Sequence, residues 1–508
     1  MKTRILYTIL FSIFLLSTNA QTTSDALNFS QTFNGGTARF VSMGGAFGAL
    51  GGDFSSLSVN PAGLGVYRSS EFTLTPSFKK RSVSSDYNGS NGKDSRSRLG
   101  FDNIGFVFSY KPNGDAEKGL INLNLAVGYN KTNDFFANSI AIGDNSVSSI
   151  MDYFAILANG YSIDDLGIPD PITEPTNNYN PYLDSNAPWE AIMAWNTYLI
   201  NPTAGINDYE AALNGGDGVV QKNVVSNRGT TGEYIISLGA NFSQKFYIGA
   251  TVGLTNINYK SSTTFSEDAF NTNEPMSNGD QFYYSDYYQT FETTGNGYNL
   301  KVGAIYKPIE GLRLGLAFHT PTYYNLEDTY SYSISSTFKD GNSSTNTPNS
   351  RYEYNLETPL KVIGSAAYVF KDFGLLSIDI EHVDYASMRF RDGGDGYDYT
   401  TDNEIINNTY NSVNNIKIGG EVKVNNMYFR GGYAFYPSPY KKEFLNKNAN
   451  RTMLSGGVGY REGNFFIDAT YLYSMQKEKY IFYNLNDVNP VSTKMTEGKF
   501  LLTVGFKF

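Results

Sequence analysis

Between Ile121 and Asn130 the chain alternates without a break. Ile121, Leu123, Leu125, Val127 and Tyr129 fall on one parity; Asn122, Asn124, Ala126, Gly128 and Asn130 fall on the other. Successive side chains of a strand point to opposite faces, so this segment has one apolar face and one polar face. The period returns at Ile104, Phe106, Phe108 and Tyr110, at Tyr234 to Phe242, at Phe246 to Leu254, and at Leu312, Leu314, Leu316 and Phe318. It continues through Val362 to Phe370, Leu376 to Ile380, Ile416 to Val424, Leu454 to Tyr460 and Phe465 to Tyr473, and the chain ends on Phe500, Leu502, Val504, Phe506 and Phe508. Tight turns at Ser243-Gln244-Lys245, Lys371-Asp372, Asn425-Asn426 and Glu462-Gly463-Asn464 join neighbouring runs. The expected fold class is all-β: an antiparallel transmembrane β-barrel of about fourteen strands, an even number that places both ends of the barrel on the periplasmic side. An open sheet is excluded, because each unpaired backbone group in hydrocarbon costs several kcal/mol.

Mean hydropathy is only -0.35, the value of many soluble proteins. In a barrel the lipid face and the lumen face alternate, so the average stays low while one face is apolar throughout. The 40 Tyr and 35 Phe against 2 Trp suit aromatic girdles at the membrane interfaces. Met1 to Ala20 has the layout of a signal peptide: Lys2 and Arg4, an apolar run from Ile5 to Leu16, then Thr18-Asn19-Ala20. No other stretch has about eighteen consecutive apolar residues, so insertion must be by strands. The formal charge of -10 argues against a nucleic-acid partner. With no Cys and 2 His, disulfides, thiolate chemistry and a histidine-clustered metal site drop out, and no cofactor is expected.

One stretch before the strands breaks the pattern. Ala38 to Gly65 carries seven glycines from Gly44 onward and closes on Asn60, Pro61, Ala62, Gly63 and Leu64. Irregular backbone at membrane depth is tolerated only when enclosed by protein or water, so residues 21–70 are expected to plug the barrel formed by 71–508. The run MGGAFGALGGD, the NPA triplet at Asn60, Pro61 and Ala62, and strands leading to a terminal aromatic together resemble the FadL family of outer-membrane transporters for long-chain fatty acids and other hydrophobic molecules, in its Bacteroidetes form. The resemblance implies capture of a fatty-acid-like ligand in an extracellular cap, passage past a plug gated near Asn60 to Leu64, and lateral exit into outer-membrane lipid. By the same analogy the opening lies at Leu120 to Asn130, where Gly128 permits distortion, and Phe508 addresses the chain to barrel-assembly machinery.

Residues 131–232 show no strand pattern, and a connection of that length is functional or disordered by prior. Val147, Ile150, Met151, Phe154 and Leu157 recur at helical spacing, and Pro188 opens a second helix with Trp189, Ile192 and Met193. A third turn is expected from Ile206 to Leu213. Phe154, Trp189 and Met193 are the candidate cap-binding residues, with attachment of the cap to the barrel rim as the alternative role.

Parity also assigns the lumen. Ser377, Asp379, Glu381, Lys417, Glu421, Arg430, Arg461, Asp468 and His319 face inward. Such charges form a self-neutralising network, or Arg430 or Arg461 receives a ligand carboxylate, which guanidinium binds bidentately. Arg39 and Asp53 are expected to tether the plug to the wall. No serine stands in a motif beside either His, so no catalytic residues and no enzyme activity are expected. The alternative function is a non-transporting barrel subunit of an outer-membrane assembly or secretion complex, with protein partners at the loops after Tyr259, Phe338 and Phe390.

Overall fold

The computed structural model describes residues 23–33, 35–112, 118–169, 178–213, 218–270, 281–371 and 373–508; the expected signal peptide lies outside them. Fourteen strands close on themselves. They are β1 (Glu71–Tyr87), β2 (Ser90–Tyr110), β3 (Leu120–Asp134), β4 (Val219–Phe242), β5 (Phe246–Ala269), β6 (Phe282–Tyr306) and β7 (Leu312–His319). The second half comprises β8 (Lys361–Phe370), β9 (Gly374–Asp384), β10 (Ser412–Val424), β11 (Met427–Tyr436), β12 (Arg451–Glu462), β13 (Phe465–Tyr480) and β14 (Val491–Lys507). Each is antiparallel to the next, and β14 returns to β1 with Lys507 opposite Glu71, so no membrane-level edge is left at the closure.

Alternation on these strands is the reverse of a soluble protein's. On β9, Leu376, Ile378 and Ile380 are 56, 40 and 48% exposed, while Ser377, Asp379 and Glu381 between them are 4, 0 and 4% exposed. Lipid covers the apolar side, and the polar side turns to a filled bore. At the three-residue turn after β4, Ser243 and Gln244 both take positive φ, which lets the chain reverse within Ser243-Gln244-Lys245.

The strands run further than alternation alone marks. β6 has 25 residues, about 80 Å of chain at 3.3 Å per residue, against an apolar band roughly 25 Å tall. Its upper part pairs with Tyr323–Phe338, which continues β7 after a break, and that segment pairs in turn with Ser350–Glu357 above β8. Beyond the lipid neither face is uniformly apolar, so the period-two signal fades although the ladder continues. For the same reason pairing enters the 131–232 stretch from both sides: β3 runs to Asp134, a strand Ala137–Asn145 pairs with β4, and β4 begins at Val219. The connection after Tyr259 is likewise strand as far as Ala269, and Phe338 leads directly into a hairpin with Gly341–Asn346.

Between them lies the cap. Ser149 caps α3 (Ile150–Ala158) with a reciprocal bond from Asp152, and α4 (Ile163–Leu166), α5 (Pro181–Asp184) and α6 (Trp189–Asn196) follow the plug helices α1 (Thr23–Ser30) and α2 (Ala38–Ser42) in chain order. Val147 stays outside α3, and the expected third turn is instead a short strand, Tyr209–Ala211, paired with Ile200–Pro202. A second lobe after Phe390 carries α7 (Thr400–Thr409).

The plug occupies the bore. Helix α1 packs high, beside Tyr354, Phe390 and Tyr410 of the cap end, and the Tyr410 hydroxyl donates to the Thr23 carbonyl at 3.0 Å. From there the chain descends through α2 and two 3-10 turns, Phe54–Ser58 and Pro61–Val66, to reach β1.

Candidate functional site

Each turn of the plug is fixed by a short polar side chain at its start. Thr37 caps α2, Asp53 accepts from the Ser55 N–H at 2.9 Å, and Asn60 Oδ1 accepts from the Ala62 N–H at 3.1 Å with Pro61 in the first helical position. Asn60 Nδ2 also donates to the Gly48 carbonyl at 2.6 Å and to the Ala304 carbonyl of β6 at 3.2 Å. One asparagine thus closes the turn, crosses the plug and reaches the wall.

The wall meets the plug backbone to backbone. A Cβ at Gly303 would overlap the Asn60 side chain, one at Gly249 the Pro61 carbonyl, and one at Gly315 the Gly48 carbonyl. Across the bore, Gly419 and Gly432 leave room for Met43 and Gly44, and Gly44 holds φ +63° against the Tyr433 backbone. The wall glycines sit on β5, β6, β7, β10 and β11, so the plug is seated against the wall on opposite sides of the bore.

Polar groups latch it. Asn124 donates to the Leu64 carbonyl at 2.6 Å, Asp379 accepts from the Gly48 N–H at 2.9 Å, Arg313 donates to the Leu50 carbonyl at 2.6 Å, and a His319 ring nitrogen donates to the Val59 carbonyl at 2.8 Å. Arg39 reaches the wall with both Nε and an Nη on Glu421, at 3.0 and 3.2 Å. Glu421 also takes Arg430 at 2.6 Å, and Arg430 takes Asp468 at 2.5 Å. Asp53 does not join this chain; the Thr37 hydroxyl donates to it within the plug at 2.7 Å. Arg430 is wholly buried between two carboxylates. Arg461 lies between the rings of Tyr428 and Phe466 at 4.8 and 5.2 Å. Asn60→Ala removes a cap and two donated bonds and is expected to cost the seated plug about 1–3 kcal/mol; a protease-accessibility assay on the plug in detergent-extracted protein reads this directly.

Two cavities lie between the plug and the wall. The first, about 50 Å³, has an apolar floor of Phe33, Phe40, Val41, Met453 and Leu472, and its wall carries five basic residues, Arg81, Lys131, Lys417, Arg451 and Lys499, against two acidic ones, Asp134 and Glu497. Most of these cations are already paired: Arg81 with Glu497, Lys499 and Lys131 with Asp102, Lys417 with Glu381. Arg451 is different. Its guanidinium lies 3.9 Å over the Phe33 ring, donates to Ser474 at 3.1 Å, and has no ion pair among the described residues. The second cavity, about 50 Å³, is polar, with Glu233 paired to Lys301 beside His319.

A third cavity, about 220 Å³, lies under the cap, lined by Ile150, Tyr153, Glu190, Phe265, Tyr287 and Phe482 among others. Burial raises the Glu190 carboxyl above its usual range, with the Tyr287 hydroxyl 3.5 Å away. Phe154 and Met193 are fully buried in the adjoining core, and Trp189 packs against it from Tyr182, Tyr330 and Tyr332. The structure therefore gathers all three into one cluster that holds the cap to β5 and β6, while their helix neighbours Ile150, Tyr153 and Glu190 line the cavity. Helical spacing marks the apolar stripe and does not separate the residue that packs from the one beside it that faces open space.

The barrel wall changes character between β2 and β3. β3 is laddered to β2 from Leu123 to Asn130 and to β4 from Leu120 to Asn130, so the opening expected at Leu120 to Asn130 is closed by hydrogen bonds on both sides; the ladder to β2 ends at Asn103 opposite Asn130. Gly128 lies within it, its missing Cβ making room for Phe54 of the plug. Above, the carbonyls of Lys131 and Thr132 accept instead from the plug N–H groups of Gly35 and Phe33, both at 2.9 Å. The strand Ala137–Asn145 then passes against the face of the β1–β2 hairpin: Gly92 abuts Ile140, Gly143 abuts Tyr87, and Asn88 donates to the Asp144 carbonyl at 2.7 Å. Edge-to-edge pairing gives way to an overlap.

No family model and no curated relative matches the sequence. Solved structures do match by shape. The P. putida toluene transporter TodX aligns over 94% of this chain and 99% of its own, at 13% identity and a TM-score of 0.53. A Pseudomonas aeruginosa FadL homologue gives 94%, 100%, 13% and 0.53, and the Ralstonia pickettii toluene transporter TbuX gives 94%, 99%, 14% and 0.50. At such identity the similarity speaks for the fold.

Proposed function

Because the chain folds as a FadL-type plugged barrel, we propose that it sits in a Gram-negative outer membrane and admits hydrophobic small molecules that carry a carboxylate, long-chain fatty acids or compounds like them. The observation that supports this class is the cavity between plug and wall: an apolar floor beneath Arg451, a buried guanidinium that no carboxylate contacts among the described residues, with Glu497 of the same cavity engaged by Arg81. A buried cation lacking an anion is costly, and a ligand carboxylate that supplies one gains a charge-assisted hydrogen bond while its chain lies on Phe33, Phe40 and Leu472. Each buried methylene adds roughly 0.8 kcal/mol.

The route begins in the aromatic cavity under the cap, continues to the Arg451 cavity, and leaves sideways through the overlap between β2 and the strand Ala137–Asn145. The seated plug supports sideways release, since it packs against the wall on opposite sides of the bore. The toluene transporters it resembles in shape take a neutral cargo by name; Arg451 is the feature that favours a carboxylate-bearing cargo here.

Binding of palmitate and of 1-hexadecanol to the detergent-extracted protein tests the reading. Arg451→Gln is expected to weaken palmitate by roughly 10- to 100-fold, the size of a hydrogen bond to a charged group, and to shift 1-hexadecanol far less. Equal affinity of wild type for both probes would remove the carboxylate from the proposal.

A further inference from the structure

The overlap above Asn130 holds a second group of cations that the plug and its cavities do not use. Parity on upper β2 sends Leu99 and Phe101 outward, 79 and 38% exposed, and turns Arg96 and Arg98 inward, where both are half-buried. Their guanidinium carbons lie 4.4 and 4.8 Å from the centroid of one ring, Phe136, at the break between β3 and Ala137–Asn145. Lys79 lies 5.7 Å from the same ring, and its charge is taken by Asp134. Arg96 donates to the Asn138 and Ser226 side chains at 3.2 and 3.5 Å; among the described residues the Arg98 guanidinium has no hydrogen bond, and neither arginine has an ion pair.

Two like charges gathered against one aromatic ring repel each other, and the ring quadrupole offsets only part of that. The neighbouring Asp134 is occupied by Lys79 and Lys131. An anion placed between them would be held by two planar donors, in the geometry guanidinium groups offer a carboxylate. Directly behind, on the lipid side, stand Leu99 and Phe101, a surface for an acyl chain.

We infer that Arg96, Arg98 and Phe136 form an exit-side headgroup site, which holds the carboxylate of an outgoing amphiphile at the β2–β3 overlap while its chain passes into the lipid beside Leu99 and Phe101. This rests on the transport reading above. It adds a specificity element: a neutral hydrocarbon has nothing to hold there, and an anionic one is handed from Arg451 to a second cationic station.

The test is photolabelling of the full-length protein in detergent with diazirine-bearing palmitate and the matching 1-hexadecanol, followed by mapping of the labelled residues, with whole-cell palmitate uptake measured in parallel. Palmitate label on the Leu99–Phe101 and Phe136 segments of the wild type is expected. In Arg96→Gln/Arg98→Gln the ratio of palmitate to hexadecanol label there should fall about tenfold, with Arg98→Lys intermediate. The site is overturned if wild-type label maps only around Arg451. It is also overturned if the double variant loses both labels equally, or if lipid A displaces the label and excess palmitate does not, which would mark an outer-leaflet phosphate as the occupant. Seam label without uptake would sink the transport reading and leave the site standing; uptake without seam label would do the reverse.

Discussion

Replacing Gly303 with valine is expected to unseat the plug and turn a closed barrel into a leaky one. The position lies on β6 where an added Cβ would overlap the Asn60 side chain, which at once caps the Pro61–Val66 turn and donates to the Ala304 carbonyl beside it. Neither partner can retreat, since the asparagine is pinned to the Gly48 carbonyl and β6 is laddered on both sides. Overpacking a fitted contact costs about 1–3 kcal/mol, and loss of a cap about one more. Together these shift the ratio of seated to unseated plug by roughly 30- to 700-fold. Planar-bilayer conductance and cellular sensitivity to a large antibiotic should both rise. Gly364→Val is the matched control, because a Cβ there meets nothing within 4 Å. A Gly303→Val protein as tight as wild type would mean that the plug is not held by this contact.

Removal of the Glu421 charge should be the most damaging single change inside the bore. In Glu421→Gln, Arg39 loses the one carboxylate it pairs with among the described residues and Arg430 keeps Asp468, within a site where Glu421 is 6% exposed and Arg430 wholly buried. Leaving a buried charge without its partner costs about 3–5 kcal/mol, far above the value of an exposed ion pair. Salt should change the effect little, because buried pairs are poorly screened. The prediction reads as a lower midpoint for urea unfolding together with faster proteolysis of the plug. Arg39→Gln added to Glu421→Gln should recover part of the loss, as the orphaned cation disappears; strictly additive losses would show that the two side chains do not act as a pair.

How far the sequence carries depends on what surrounds each segment. Where lipid covers the wall, as at Leu376 to Ile380, one parity must be apolar, and strand, face and neighbours are all readable. Above the lipid that constraint lifts. Ala137–Asn145, the upper half of β6 and Ser350–Glu357 are held by ladder hydrogen bonds and mixed side chains, so nothing periodic announces them. The plug was legible as a plug from its glycines and from Asn60, but its seat was not. Gly303, Gly249 and Gly432 are single glycines on separate strands, and only the closed barrel brings them against the plug. Parity placed Glu421, Arg430 and Asp468 inside; their linkage through Arg39 depends on register and on the depth of the plug, which no local pattern encodes. Asp53, paired on paper with Arg39 as a tether, is spent on a cap three residues from the Ser56 backbone it helps to turn. Nothing in the sequence distinguishes Arg451 from the other inward charges, because its lack of a contacting carboxylate depends on where the neighbouring strands and the plug come to lie.

The position of the plug also constrains the order of events in biogenesis. Ala38 gives its N–H to Thr503 of β14 and takes a hydrogen bond from Thr470 of β13, and β14 zips to β1 directly below it. Helix α1 meanwhile stands at the opposite mouth, under the lobe of α7. A leading segment that spans the cylinder from end to end and is bonded to its last two staves is hard to thread afterwards; it has to be enclosed as the final stave is set. The stopper then serves as a mandrel around which the cask is coopered, and variants with a loosened stopper should mature slowly as well as leak.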